Sequence, residues 1–205
     1  MDEPTPNPIV WEPPPPRAGL LHAWDTFIGP GATRGETRLI LLAGVGGVLV
    51  ALGAARRAGV AWSPWQWLLA LAMALDMFGG AVANATSATK RWYHRPGQGP
   101  GQHLVFVAVH VYPFLVAWLY RGHDWGYGLL IYGYLLLATL ILLGTPLYLK
   151  RPMALTLYLL GLAIPWLLLS PTPGLVWFVP LLYLKLIVCH LVPEAPFRPG
   201  AAKPG

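Results

Sequence analysis

Residues 62–86 read WSPWQWLLALAMALDMFGGAVANAT, a run whose only charged side chain is Asp76. A helix needs about 20 mostly apolar residues to cross a bilayer core about 30 Å thick, so this run predicts a transmembrane span. Five further runs qualify, at 38–55, 103–120, 126–149, 153–170 and 174–192. The chain of 205 residues is 56% hydrophobic and 11% charged, against roughly 25% charged in a soluble domain. The expected fold is therefore all-α: a polytopic bundle of six transmembrane helices over residues 38–192.

Outside the spans, residues 1–17 and 193–205 are proline-rich and predict disordered tails. Residues 18–37 include AGLLHAWDTFI, whose helical spacing of apolar and polar groups predicts an interfacial amphipathic helix and linker. The acidic, proline-rich start does not have the basic-then-apolar order of a cleaved signal. Cys189 is the only cysteine, so neither a disulfide framework nor a Cys-pair metal motif exists. No internal repeat is evident.

The net charge of +6 does not point to nucleic acid, because the cations are spread over loops. With six spans, Arg17, Arg34, Arg38, Lys90, Arg91, Arg95, Lys150, Arg151, Arg198 and Lys203 share one side, and Arg56, Arg57 and Arg121 the other. By the positive-inside rule both termini are expected in the cytoplasm of a cell that carries the protein in its plasma or inner membrane. Trp62, Trp65, Trp67, Trp118, Trp125 and Trp177 then fall at the outer interface, as amphipathic rings prefer.

The polar residues of the spans are not scattered. Asp76, Gly80, Asn84, Ser87, Arg91 and His94 succeed one another at steps of three or four, which keeps them on one face if the helix persists. At 1.5 Å per residue Asp76 lies roughly 15 Å inside its span. Asp76, His110 and Lys185 thus form a deep layer, and Asn84, His94, His103, His190 and Glu194 a shallow one, all in the inner half of the membrane. A charge at the bilayer centre costs about 2.5–3.5 kcal/mol even on insertion scales. A polar pocket opening to the cytoplasm is expected, formed by spans two, three and six, with the non-helical loop PGQGPGQ, residues 96–102, over its mouth.

Several chemistries fit these residue types, and the favoured reading is binding or modification of a lipid or isoprenoid headgroup. In a lipid- or isoprenoid-modifying enzyme, Asp76 and His110 would exchange protons beside Lys185, while Asn84, Lys90, Arg91 and Arg95 would hold the headgroup and its phosphate. Zinc or iron would find ligands in His94, His103, His190 and Glu194; a haem held by His110 and His190 fits less well, because the two lie at different depths. In a proton-coupled or ion transporter the deep layer would be a relay, with polar residues continuing to the outer face; the outer halves of the spans hold chiefly Ser63, Gln66, tyrosines and glycines, which favours a blind pocket over a path. An assembly factor would use the cluster to bind a membrane partner or a second copy. Finally, Asp76 and Lys185 as a purely structural ion pair would only fix how two spans pack. No GxSxG, HExxH or paired-acid motif selects a reaction.

Overall fold

A computed structural model describes residues 12–194; most of residues 1–17 and 193–205, expected to be disordered, lies outside that range. Among the described residues the chain is all-helical, without strands, and five helices are long and apolar enough to cross a membrane. Their surfaces carry exposed Leu147, Trp166, Leu167 and Leu168 at 71, 81, 70 and 67%. So large an apolar surface suits contact with acyl chains rather than water.

Helix α1 (Leu20–Ile28) precedes α2 (Arg34–Ala58). Thr33 starts α2 with a reciprocal cap: its hydroxyl accepts the Glu36 N–H at 3.1 Å and the Glu36 carboxylate accepts the Thr33 N–H at 2.7 Å. Capping of this kind satisfies the orphan donors of the first turn. Gly59, at φ 63, ends the helix in the left-handed conformation. Ser63 and Gln66 repeat the cap at the start of α3 (Pro64–Ala85). Small residues let α2 and α3 touch: a methyl group added at Gly79 would lie 3.5 Å from the Gly44 Cα.

Short helix α4 (Ser87–Tyr93) lies beyond α3. The break at Thr86 (φ −74, ψ 151) ends the continuous face expected from Asp76 to His94, because the Thr86 hydroxyl caps a new helix by accepting the Thr89 N–H at 3.3 Å. Helix α1 docks on α4. The Thr89 hydroxyl donates to the Ile28 carbonyl at 2.7 Å, and the Tyr93 hydroxyl to the Thr26 carbonyl at 3.2 Å.

The third span is interrupted. Helix α5 (Pro100–Ala108) and α6 (Tyr112–Tyr120) meet at an irregular turn over residues 109–111. The loop expected at 96–102 is shorter than anticipated, since Pro100 takes the first helical position and Gln102 accepts the Gly99 N–H at 3.0 Å. Helices α7 (Trp125–Gly144) and α8 (Leu147–Leu168) come next, divided at Pro146 rather than at Pro152. Pro152 stands inside α8.

The last apolar run, expected as a span over 174–192, contains a shorter helix, α9 (Phe178–His190). At 1.5 Å per residue it is about 20 Å long, less than a bilayer core. Its position explains the length: Phe178, Leu182, Tyr183, Leu186 and Ile187 are 0% exposed. A helix walled by protein need not match the thickness of the lipid around it.

Candidate functional site

Two helices widen where they carry charge. In α3, residues Leu75–Gly79 form a π-helical turn containing Asp76; in α9, residues Leu184–His190 form another containing Lys185 and His190. An extra residue in a turn shifts the side chains beyond it, and such turns recur at functional sites. The irregular turn between α5 and α6 holds His110.

These three interruptions meet. The Lys185 ammonium donates to Asp76 Oδ1 at 2.7 Å and Oδ2 at 2.6 Å, and its nitrogen lies 3.1 Å from His110 Nε2. The other ring nitrogen, His110 Nδ1, lies 2.7 Å from the Phe106 carbonyl. A carbonyl only accepts, so Nδ1 carries the proton and Nε2 is left as an acceptor for Lys185. The ring is thereby neutral and its tautomer fixed. The Tyr112 hydroxyl faces the same Asp76 carboxylate.

Side-chain exposure is 3% for Lys185 and 25% for Asp76, so the carboxylate side of the cluster is the open one. The α3 face builds this seat residue by residue. Asp76 supplies the carboxylate, and Gly80 supplies space, since a methyl there would lie 2.7 Å from Lys185 Cε. Asn84 Nδ2 donates to the Lys185 carbonyl at 3.5 Å.

The shallow layer is a separate cluster of imidazoles. His103 Nδ1 and His190 Nε2 are 3.1 Å apart, one ring donating to the other. His94 Nε2 donates to the His190 carbonyl at 3.0 Å and its ring stacks on His103 with centroids 4.6 Å apart. Burial pushes His94, which lies outside the spans, down to about 4, with His103 reinforcing the effect. Glu194, grouped with these histidines from the sequence, is elsewhere, bound to Arg151 at 3.1 Å. Among the described residues no group of three or more His, Cys, Asp or Glu is arranged to hold a metal ion. Phe106 separates the two clusters, stacking on His190 at 3.9 Å and packing on His110 at 5.2 Å.

Two of the cations grouped for a phosphate, Lys90 and Arg95, have partners within the chain. Lys90 and Arg91 lie on the buried side of α4. The Lys90 amine donates to the carbonyls of Cys189, at the end of α9, and of Val192 just beyond it, closing orphan acceptors at a helix C-terminus. The Arg95 guanidinium lies 3.5 Å from the Trp92 ring centroid. Sequence reasoning missed the Lys90 cap, because its partners are backbone groups about a hundred residues away; it missed Tyr112 too, although the preceding His110 and following Pro113 marked that turn.

Burial lowers Lys90 to about 8, an effect partly offset by Glu194 and Cys189. Between about pH 8 and 10.5 the unfolded chain therefore holds a proton at this site that the folded chain has released, and stability rises with pH across that window. Lys90→Met is expected to lose that rise and to melt earlier throughout, since truncation leaves two carbonyls unsatisfied at about 1–3 kcal/mol each. Thermal unfolding of the detergent-solubilised pair from pH 7 to 10.5 measures both effects.

Comparison with known proteins finds no matching family model, no matching curated protein and no matching solved structure.

Proposed function

We propose that the chain is a six-segment integral protein of the plasma or inner membrane, with both termini cytoplasmic, that moves protons through Asp76, His110 and Lys185. The observation that carries this reading is the meeting of a carboxylate, an ammonium and a neutral imidazole midway along the spans. Each group comes from an interrupted helix. Ionisable groups at that depth mark ion and proton pathways, and irregular backbone there is tolerated only where it is enclosed by protein or lines a water-filled cavity. The histidine cluster lies beside this centre, with the Phe106 ring between His190 and His110. The orientation rests on the ten loop and tail cations on one side against three on the other. A phosphate-holding role for Lys90 is less well supported, because its amine is already bonded to two carbonyls.

The test is proton uptake by liposomes holding the purified full-length protein and an internal pH dye, driven by a potassium diffusion potential. Wild-type vesicles are expected to acidify faster than protein-free vesicles, and Asp76→Asn to slow them by about a hundredfold or more, within the range attributed to a positioned proton-transfer group. Asp76→Glu, which keeps a carboxylate, retains a measurable rate. Uptake equal to that of protein-free vesicles, or full uptake by Asp76→Asn, overturns the reading.

A further inference from the structure

A second site lies at the basic end, away from the core cluster. Between the residues before α1 and the first turns of α2 is a cavity of about 660 Å³ lined by Arg17, Trp24, Asp25, Arg34, Thr37 and Arg38, among others. Its charges do not cancel. Arg17 is bound to Asp25 through a 2.6 Å ion pair and a backbone N–H at 2.8 Å, and that partner holds the Asp25 carboxyl down to about 2. The neighbouring carboxylate of Glu36 is turned away, accepting the backbone N–H groups of Thr33 and Ala88. Arg34 and Arg38, four residues apart on one face of α2, pair with no carboxylate among the described residues. Two guanidinium groups thus stand in excess around a cavity that also offers the Thr37 hydroxyl.

We propose that Arg34 and Arg38, with Thr37 between them, bind a phosphate group in this cavity. Guanidinium forks match the oxygens of a phosphate and make charge-assisted bonds to it. The surroundings fit an anionic phospholipid as the bearer of that phosphate. Leu39, Leu41 and Leu42, exposed at 61, 52 and 68%, continue down α2 from Arg38, where the acyl chains of a lipid held at the cavity would run. Leu21 and Phe27 are exposed on α1, and Trp24 supplies the amphipathic ring typical of the headgroup level. Free phosphate is the other source with the same chemistry. The site is independent of the proton-moving centre and uses none of its residues.

Isothermal titration calorimetry of the full chain in detergent tests this with dioctanoyl phosphatidylglycerol, dioctanoyl phosphatidylcholine and inorganic phosphate as separate probes. The expected result is binding of phosphatidylglycerol, weaker binding of the net-neutral phosphatidylcholine, and a loss of about tenfold or more in affinity for Arg34→Gln with Arg38→Gln, as for the removal of charge-assisted bonds. Arg34→Lys with Arg38→Lys keeps the charge but not the fork and should bind more weakly than wild type and more tightly than the glutamine variant. Inorganic phosphate binding as tightly, with the same loss in the glutamine variant, supports the site with free phosphate as its source. Should the double glutamine variant not fold, the single Arg38→Gln, at an exposed position, is expected to show the same direction of change. Affinity unchanged by these substitutions, or no binding of either anion, overturns the proposal.

Discussion

Asp76→Ala is expected to destabilise the protein by about 3–5 kcal/mol, the cost of leaving a buried charge without its partner. The single changes should differ. Asp76→Ala strands the Lys185 ammonium, 3% exposed, whereas Lys185→Met strands a carboxylate that is 25% exposed and so keeps some solvation. The double change Asp76→Asn with Lys185→Met removes both charges, and replacing a buried pair by neutral groups is often neutral or stabilising. Melting temperatures in one detergent should therefore rank the double variant highest, Lys185→Met next and Asp76→Ala lowest. Equal melting of the three would mean that the two side chains are not energetically coupled.

Gly29→Ala is expected to have the second largest effect, at about 3 kcal/mol, from a backbone conformation open essentially to glycine alone together with an overpacked contact. Gly29 has φ 83 and ψ 126. A methyl group there would lie 2.3 Å from the Ala88 carbonyl carbon and 2.5 Å from the Thr89 nitrogen. Both are backbone atoms, so neither can swing aside as a flexible side chain would. Relief requires α1 to leave α4, breaking the Thr89–Ile28 and Tyr93–Thr26 hydrogen bonds. The spans should persist while trypsin cleaves at Arg34 far faster than in wild type. Unchanged cleavage and melting would contradict the docked position of α1.

How much of this was legible in the sequence depends on how local each feature is. The long spans come from apolar length alone, and Thr33, Ser63 and Pro100 mark helix starts that local chemistry dictates. The Asp76, Gly80, Asn84 spacing placed three residues on one face, and all three contact Lys185. The same spacing, extended to His94, ran past Thr86, whose capping hydroxyl starts a new helix and re-aims the side chains of α4. That signal was present in the Thr86-to-Thr89 interval.

Other features have no local signal. Residues 174–192 are apolar nearly throughout, so where α9 begins depends on a tertiary contact. Gly174 turns the chain at φ 77, and a methyl there would lie 2.6 Å from the Trp62 ring. The π-helical turns around Asp76 and Lys185 likewise have no marker in the residues that form them. Lys90 reads as an interfacial cation until the end of α9 is beside it. Glu194, directly after Pro193, leaves the bundle for Arg151 instead of joining the histidines.

The central claim is that an ammonium, a carboxylate and a neutral imidazole touch one another inside the membrane-spanning bundle. Solid-state NMR of the full chain in lipid bilayers, with isotope-labelled lysine, aspartate and histidine, measures this directly. The account predicts a Lys185 nitrogen coupled to the Asp76 carboxyl carbon at direct-contact strength, and a His110 ring protonated at Nδ1 but not at Nε2. No coupling between the lysine nitrogen and the carboxyl carbon, or a His110 ring protonated at Nε2, would contradict it.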